Sequence, residues 1–104
     1  MKTYSVNISR RAEKMLFTHL EFLKQSSIPA ANKLINHFEK SINRIEENPF
    51  AFPFADEWDV PNIPPDTYRK CLFYERYKAI YIIEGLTVHI DAIIDTRQEN
   101  ARLY

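Results

Sequence analysis

Cysteine is nearly absent from this chain. Cys71 stands alone among 104 residues, so no internal disulfide can form, which fits a reducing cytoplasm. A net excess of either charge is lacking too. Fourteen basic residues balance fourteen acidic ones, whereas a protein that held nucleic acid by its overall field would be basic. Any nucleic-acid role must therefore rest on a local patch. No apolar run approaches the roughly 18 residues that span a bilayer, and Met1-Lys2-Thr3-Tyr4-Ser5 has no signal-peptide core. His19, His37 and His89 lack the close His-x-His or Cys-x-x-Cys spacing of a zinc site, so neither metal nor cofactor is expected. Repeats, low-complexity tracts and linkers are missing as well. A chain of this size and composition, 45% hydrophobic and 13% aromatic, can build one domain around one core.

What is present is concentrated between Tyr68 and Gln98. Three runs rich in β-branched and aromatic residues are separated by Glu75-Arg76 and by Glu84-Gly85, the pattern of an antiparallel meander. Gly85, the sole glycine, sits where a tight hairpin needs a residue tolerant of positive φ. In the last run Leu86, Val88, Ile90, Ala92 and Ile94 fall on one side. Thr87, His89, Asp91 and Asp95 fall on the other, with Ile93 the exception to the alternation.

The amino-terminal half reads as one strand and two helices. Tyr4, Val6 and Ile8 alternate with Ser5 and Asn7, and Ser9 follows at an N-cap position. Ala12, Met15, Leu16, Leu20 and Leu23 recur at helical spacing to near Gln25. Ser26-Ser27-Ile28-Pro29 breaks that helix, and Pro29 suits the first turn of the next. Its stripe is Ala31, Leu34, Ile35, Phe38, Ile42 and Ile45, ending near Asn48-Pro49. Five of the six prolines then fall between Pro49 and Thr67, interleaved with Phe50, Phe52, Phe54 and Trp58 and with the acidic group Asp56, Glu57 and Asp59. This stretch is expected to be a packed strap whose aromatics are buried against the body. The fold class that follows is α+β, in the order β-α-α-β-β-β. A two-helix hairpin packs on one face of a small, mainly antiparallel four-stranded sheet.

Several words in that order resemble RelE/ParE-family toxins. They are Asn7-Ile8-Ser9-Arg10-Arg11-Ala12-Glu13-Lys14, the hairpin ending in Glu46-Glu47-Asn48-Pro49, Tyr68-Arg69-Lys70, Tyr77-Lys78-Ala79-Ile80-Tyr81, and Asp95-Thr96-Arg97-Gln98. The resemblance covers essentially all of residues 1–104 as a single such domain. It implies the toxin half of a type II toxin–antitoxin module, a plasmid stabilisation protein bound and neutralised by a cognate antitoxin. Two branches are implied. RelE-like members are mRNA interferases, endoribonucleases that cleave mRNA on the ribosome; ParE-like members are gyrase inhibitors. A degenerate member that only binds its antitoxin is a third outcome.

RNA cleavage without a metal needs a base or orienting group, cations around the phosphate, and an acid for the leaving oxygen. Alternation groups Arg69, Cys71 and Phe73 on one face and Lys78, Ile80 and Ile82 on one face of the next strand. Tyr77, Ala79, Tyr81 and Ile83 would then turn to the helices. If the polar side of the last strand is open, His89, Asp91 and Arg97 join Arg69 and Lys78 there. The nuclease resemblance assigns phosphate contacts to Arg69, Lys78 and Arg97, with His89 or Tyr104 as the group that moves a proton. Departures are material: Lys78 replaces an arginine, Cys71 stands where a second lysine is usual, and Tyr104 lies one place too far from Arg97. The alternative is that these cations are a solvated face or antitoxin contacts. A Cys71-His89-Asp91 thiol triad fails on geometry, because an intervening strand puts roughly 10 Å between nucleophile and base.

Overall fold

The computed structural model describes residues 3–97. It runs β1 (Ser5–Ile8), α1 (Arg10–Ser26), α2 (Ile28–Glu47), a 3-10 turn (Pro49–Ala51), β2 (Arg69–Phe73), β3 (Tyr77–Glu84) and β4 (Thr87–Asp95). Local chemistry sets the helix boundaries. Ser9 Oγ accepts the backbone N–H of Ala12 at 3.0 Å and starts α1. Ser27 serves both helices: its N–H donates to the Leu23 carbonyl at 2.7 Å, and its Oγ accepts from Ala30 N at 3.2 Å. One residue thus satisfies orphan groups at both helix ends, so the link of the hairpin is a single residue. Asn48 then closes α2 and caps the 3-10 turn through its side chain, with Pro49 at the first position.

The four strands lie in the order β1-β4-β3-β2. The meander β2-β3-β4 is antiparallel, and β1 returns beside β4 in parallel, with Ser5 opposite Thr87 and Ile8 opposite Ile90. Gly85 holds φ at +62° in the two-residue hairpin between Glu84 and Thr87, a conformation that L side chains disfavour.

A bulge governs how the sheet is buried. Along β3 and β4 the register steps from Tyr81 opposite Ile90 to Ile80 opposite Ala92, leaving Asp91 as the extra residue. Before it, Val88 and Ile90 face the helices. Beyond it Ile93 does, while Ala92 and Ile94 turn to the reverse face. Ile93 therefore breaks the alternation because β4 changes phase there. Expecting Ala92 and Ile94 on the face of Val88 and Ile90 was incorrect for this reason.

Two buried clusters result, one on each side of the sheet. Cys71, Phe73, Tyr77, Ala79, Tyr81, Val88, Ile90 and Ile93 meet Ala12, Leu34, Phe38 and Ile45 of the helices. Cys71 and Phe73 thus lie on the helix side and not on the open face. On the reverse, Ile80, Ala92 and Ile94 are covered by Val60 of the strap, with Ala55, Ile63 and Tyr68 packed around them. Each fully buried isoleucine contributes about 1.5–3 kcal/mol. The strap is fastened by backbone bonds from Lys70 N to Pro53 O and from Ala55 N to Tyr68 O. Its aromatics are less buried than expected: Phe52 is, while Phe50, Phe54 and Trp58 remain exposed. No helix among the described residues is long and apolar enough to cross a membrane.

Candidate functional site

The cations that resemblance brings together are separated by the sheet. Arg69 belongs with Cys71 on the helix side, at the rim. Its Nη1 donates to the Phe52 carbonyl at 2.6 Å, and its guanidinium lies over the rings of Phe54 and Phe50, 4.0 and 5.4 Å from their centroids. The planar cation is held as a clasp between the strap and β2, a role that lysine could not fill.

Lys78 lies on the other side, with Lys70 beside it. Their targets are the two oxygens of Asp59: Lys78 Nζ at 2.8 Å from Oδ1 and Lys70 Nζ at 3.0 Å from Oδ2. Asp59 is fully buried and also accepts the backbone N–H of Asp56 at 3.1 Å. Burial opposes its ionisation, but the bonds from Lys78, from Asp56 N and from Lys70 prevail and hold the carboxyl below its ordinary range. Burial likewise opposes the charge on Lys70, and Asp59 outweighs it and raises the ammonium's pKa. The reverse face is thus not a bare cationic pocket; its lysines are spent on an acidic residue of the strap.

Distance along the strands completes the separation. Arg69 is opposite Tyr81, whereas Arg97 follows Asp95, which is opposite Tyr77. Those two levels of β3 are about 13 Å apart at the rise of a strand. Arg97 is exposed, and its backbone N–H caps Asp95 Oδ1 at 3.0 Å. His89 lies near the other end of β4, about 20 Å from Asp95 by the same rise. There it meets Asn7 Nδ2 at 3.4 Å and Glu84 Oε1 at 3.5 Å. Tyr104 lies outside the described residues. Arg69, Lys78, His89 and Arg97 therefore do not share a cavity, and the expected common face of Arg69 and Lys78 is corrected by the register.

Other side chains take structural parts. Asp91, the bulge residue, bonds the hydroxyl of Tyr68; burial and then this carboxylate raise the phenol's pKa. Tyr81 Oη donates to the Pro49 carbonyl at 2.6 Å, tying β3 to the end of α2. His19, half-buried, must donate its Nε2–H to the Ile93 carbonyl at 3.0 Å, since a carbonyl only accepts. Cys71 has no accessible surface, and burial pushes its thiol up to about 11. A thiol so placed is nearly all protonated near neutrality. Iodoacetamide at pH 8 is expected to leave it unmodified in the folded protein and to alkylate it fully in denaturant, as mass spectrometry would record; rapid labelling of the folded chain would contradict this burial.

Sequence reasoning passed over Lys70 and Asp59 as a pair. The signal was present: Lys70 alternates with Arg69, and Asp59 is the last member of an acidic group in a stretch that must land on the sheet. What the residues alone could not supply was the landing point.

No family model matches the sequence, and no curated protein matches it either. Among solved structures, the chain is similar to one described as the chromosomal ParDE TA system from P. aeruginosa. The TM-score is 0.67 and the identity 14%, over 89% of this chain and 96% of that one. A looser likeness, with a TM-score of 0.43 at 17% identity, is to the YoeB dimer from Staphylococcus aureus, over 86% of this chain and 93% of that one. Two helices on a four-stranded mixed sheet in this element order, superposing on the ParDE chain over most of its length, give this protein the RelE/ParE-like fold.

Proposed function

We propose that residues 1–104 act as a single toxin domain of a toxin–antitoxin pair, restrained by a cognate antitoxin in the cytoplasm. It arrests growth by binding a protein target, without chemistry of its own. DNA gyrase is the target that the ParE-like branch of the resemblance supplies, and the likeness to a chain of a ParDE system favours that branch.

One observation carries the choice against a nuclease. In-place cleavage of RNA requires several cations and a proton donor aimed at one phosphate. Here Arg69 is clasped by the Phe52 carbonyl on one side of the sheet, and Lys78 is bonded to buried Asp59 on the other. His89 and Arg97 stand near opposite ends of β4. No rearrangement of single side chains unites groups that a sheet divides. Protein binding needs no such convergence, only exposed and complementary surface.

The test pairs two readouts. Purified protein is expected to block supercoiling by gyrase, or to trap cut plasmid, while primer extension on translating ribosomes finds the mRNA intact. Cleavage at the ribosome that disappears in Arg97→Ala would overturn the proposal and restore the nuclease. Growth arrest with neither effect would remove gyrase and leave protein binding to another target.

A further inference from the structure

Helix α1 carries Arg10, Arg11 and Lys14 in its first turns, all exposed. Positive side chains are unfavourable at this end of a helix, because the aligned peptide dipoles leave partial positive charge there. Glu13 is the acidic residue of the first turn. Among the described residues neither Arg10 nor Lys14 has an ion-pair partner. The fold therefore leaves the charges of Arg10 and Lys14 without an ion pair among the described residues.

The same residues, with Met15, Thr18 and His19, line a groove of about 510 Å³. From residue 10 to residue 19 it follows the helix for about 14 Å, well beyond the terminus. Its floor is apolar and firmly set. Met15 packs against both buried clusters, and His19 is fixed by its bond to Ile93. Phe22, one turn beyond Thr18 and 55% exposed, continues the apolar side. Beside this part of α1, β4 has no further strand neighbour among the described residues: β1 pairs with it only as far as Ile90.

We infer that this groove seats an acidic, partly apolar segment of a partner protein. Its carboxylates engage Arg10 and Lys14, and an apolar side chain rests on Met15. Charge complementarity selects an anion, and Arg10 can grip carboxylate by paired N–H bonds. The floor selects protein over nucleic acid. Single-stranded RNA would be expected to find stacking rings along a basic track, and duplex DNA a broad basic face. Among the described residues the lining offers neither, and the chain's formal charge is zero. This inference is independent of the gyrase proposal and stands or falls without it.

Fluorescence anisotropy with a short labelled peptide of alternating glutamate and leucine tests it. The double variant Arg10→Glu/Lys14→Glu is expected to bind at least about tenfold more weakly than the parent, and added salt to weaken the parent in the same direction. Acidic residues suit this helix end, so the variant is expected to melt no lower. If it does melt lower, Arg10→Gln/Lys14→Gln removes the charge without reversal and reads the same loss. Equal affinity of parent and variant would overturn the inference, as would absence of peptide binding by the parent. So would tighter binding of a single-stranded RNA or duplex DNA that depends on the same two residues, which would make nucleic acid the occupant.

Discussion

Asp59→Ala is expected to destabilise the protein by about 3 kcal/mol or somewhat more. Removing one member of a buried ionic group typically costs about 3–5 kcal/mol, because the partner charges lose compensation in a medium that solvates them poorly. Lys70 and Lys78 keep 22% and 17% of their side-chain surface, so both ammoniums retain some water and the lower end of that range applies. The strap also loses the carboxylate that receives Asp56 N. Urea unfolding followed by the fluorescence of Trp58, the single tryptophan and next to Asp59, reads both global stability and release of the strap. Replacing the whole group with apolar side chains (Asp59→Leu, Lys70→Met and Lys78→Met together) is expected to recover most of the loss, since no uncompensated charge then remains. The pH dependence follows in sign. Asp59 has a folded pKa below its ordinary 3.8, so its contribution is complete above that value and is lost as pH falls through the lowered one. A loss under about 1 kcal/mol in Asp59→Ala would mean that the lysines find full solvation without it, at the level of an exposed pair.

This ionic group also explains why the chemistry was less legible than the fold. Helix boundaries could be read from Ser9, Ser27 and Pro29 because a cap is decided within a turn of chain. The meander was legible for a similar reason: its three runs are close in sequence, and Gly85 marks one of its turns. The side on which a cation ends is a different kind of fact. Alternation within single strands allows Arg69 the face of Lys78, yet Arg69 is paired with Tyr81, three residues away along β3, and parity puts the two on opposite sides. Parity in turn depends on register, which no single strand contains. The strap is harder still, since its prolines stiffen a path without saying where it lands. Two lysines that would look like phosphate ligands in an uncovered sheet become its anchors once Asp59 arrives.

Inserting one alanine between Asp91 and Ala92 is expected to unfold the protein, whereas Asp91→Ala is expected to cost no more than about 1.5 kcal/mol. The contrast separates the number of residues at the bulge from the side chain that occupies it. The carboxylate bonds the hydroxyl of Tyr68, an exchange with water worth about 0.5–1.5 kcal/mol. The backbone of Asp91 is what lets β4 change phase. With one residue more, and Tyr81 still paired with Ile90, the following residues would fall on the wrong faces. Ile93 would leave the helix cluster, Ala92 and Ile94 would leave the strap, and Asp95 would leave Arg76, its partner at 3.2 Å. Two isoleucines at about 1.5–3 kcal/mol each, together with a broken ion pair at a site 2% exposed, rival the roughly 5–15 kcal/mol by which a small domain is stable. Circular dichroism and a proton–nitrogen correlation spectrum would distinguish the two variants. An insertion variant that kept dispersed resonances and melted near the parent would show that β4 can slide without penalty, and the two-sided core would not then be what holds the sheet in register.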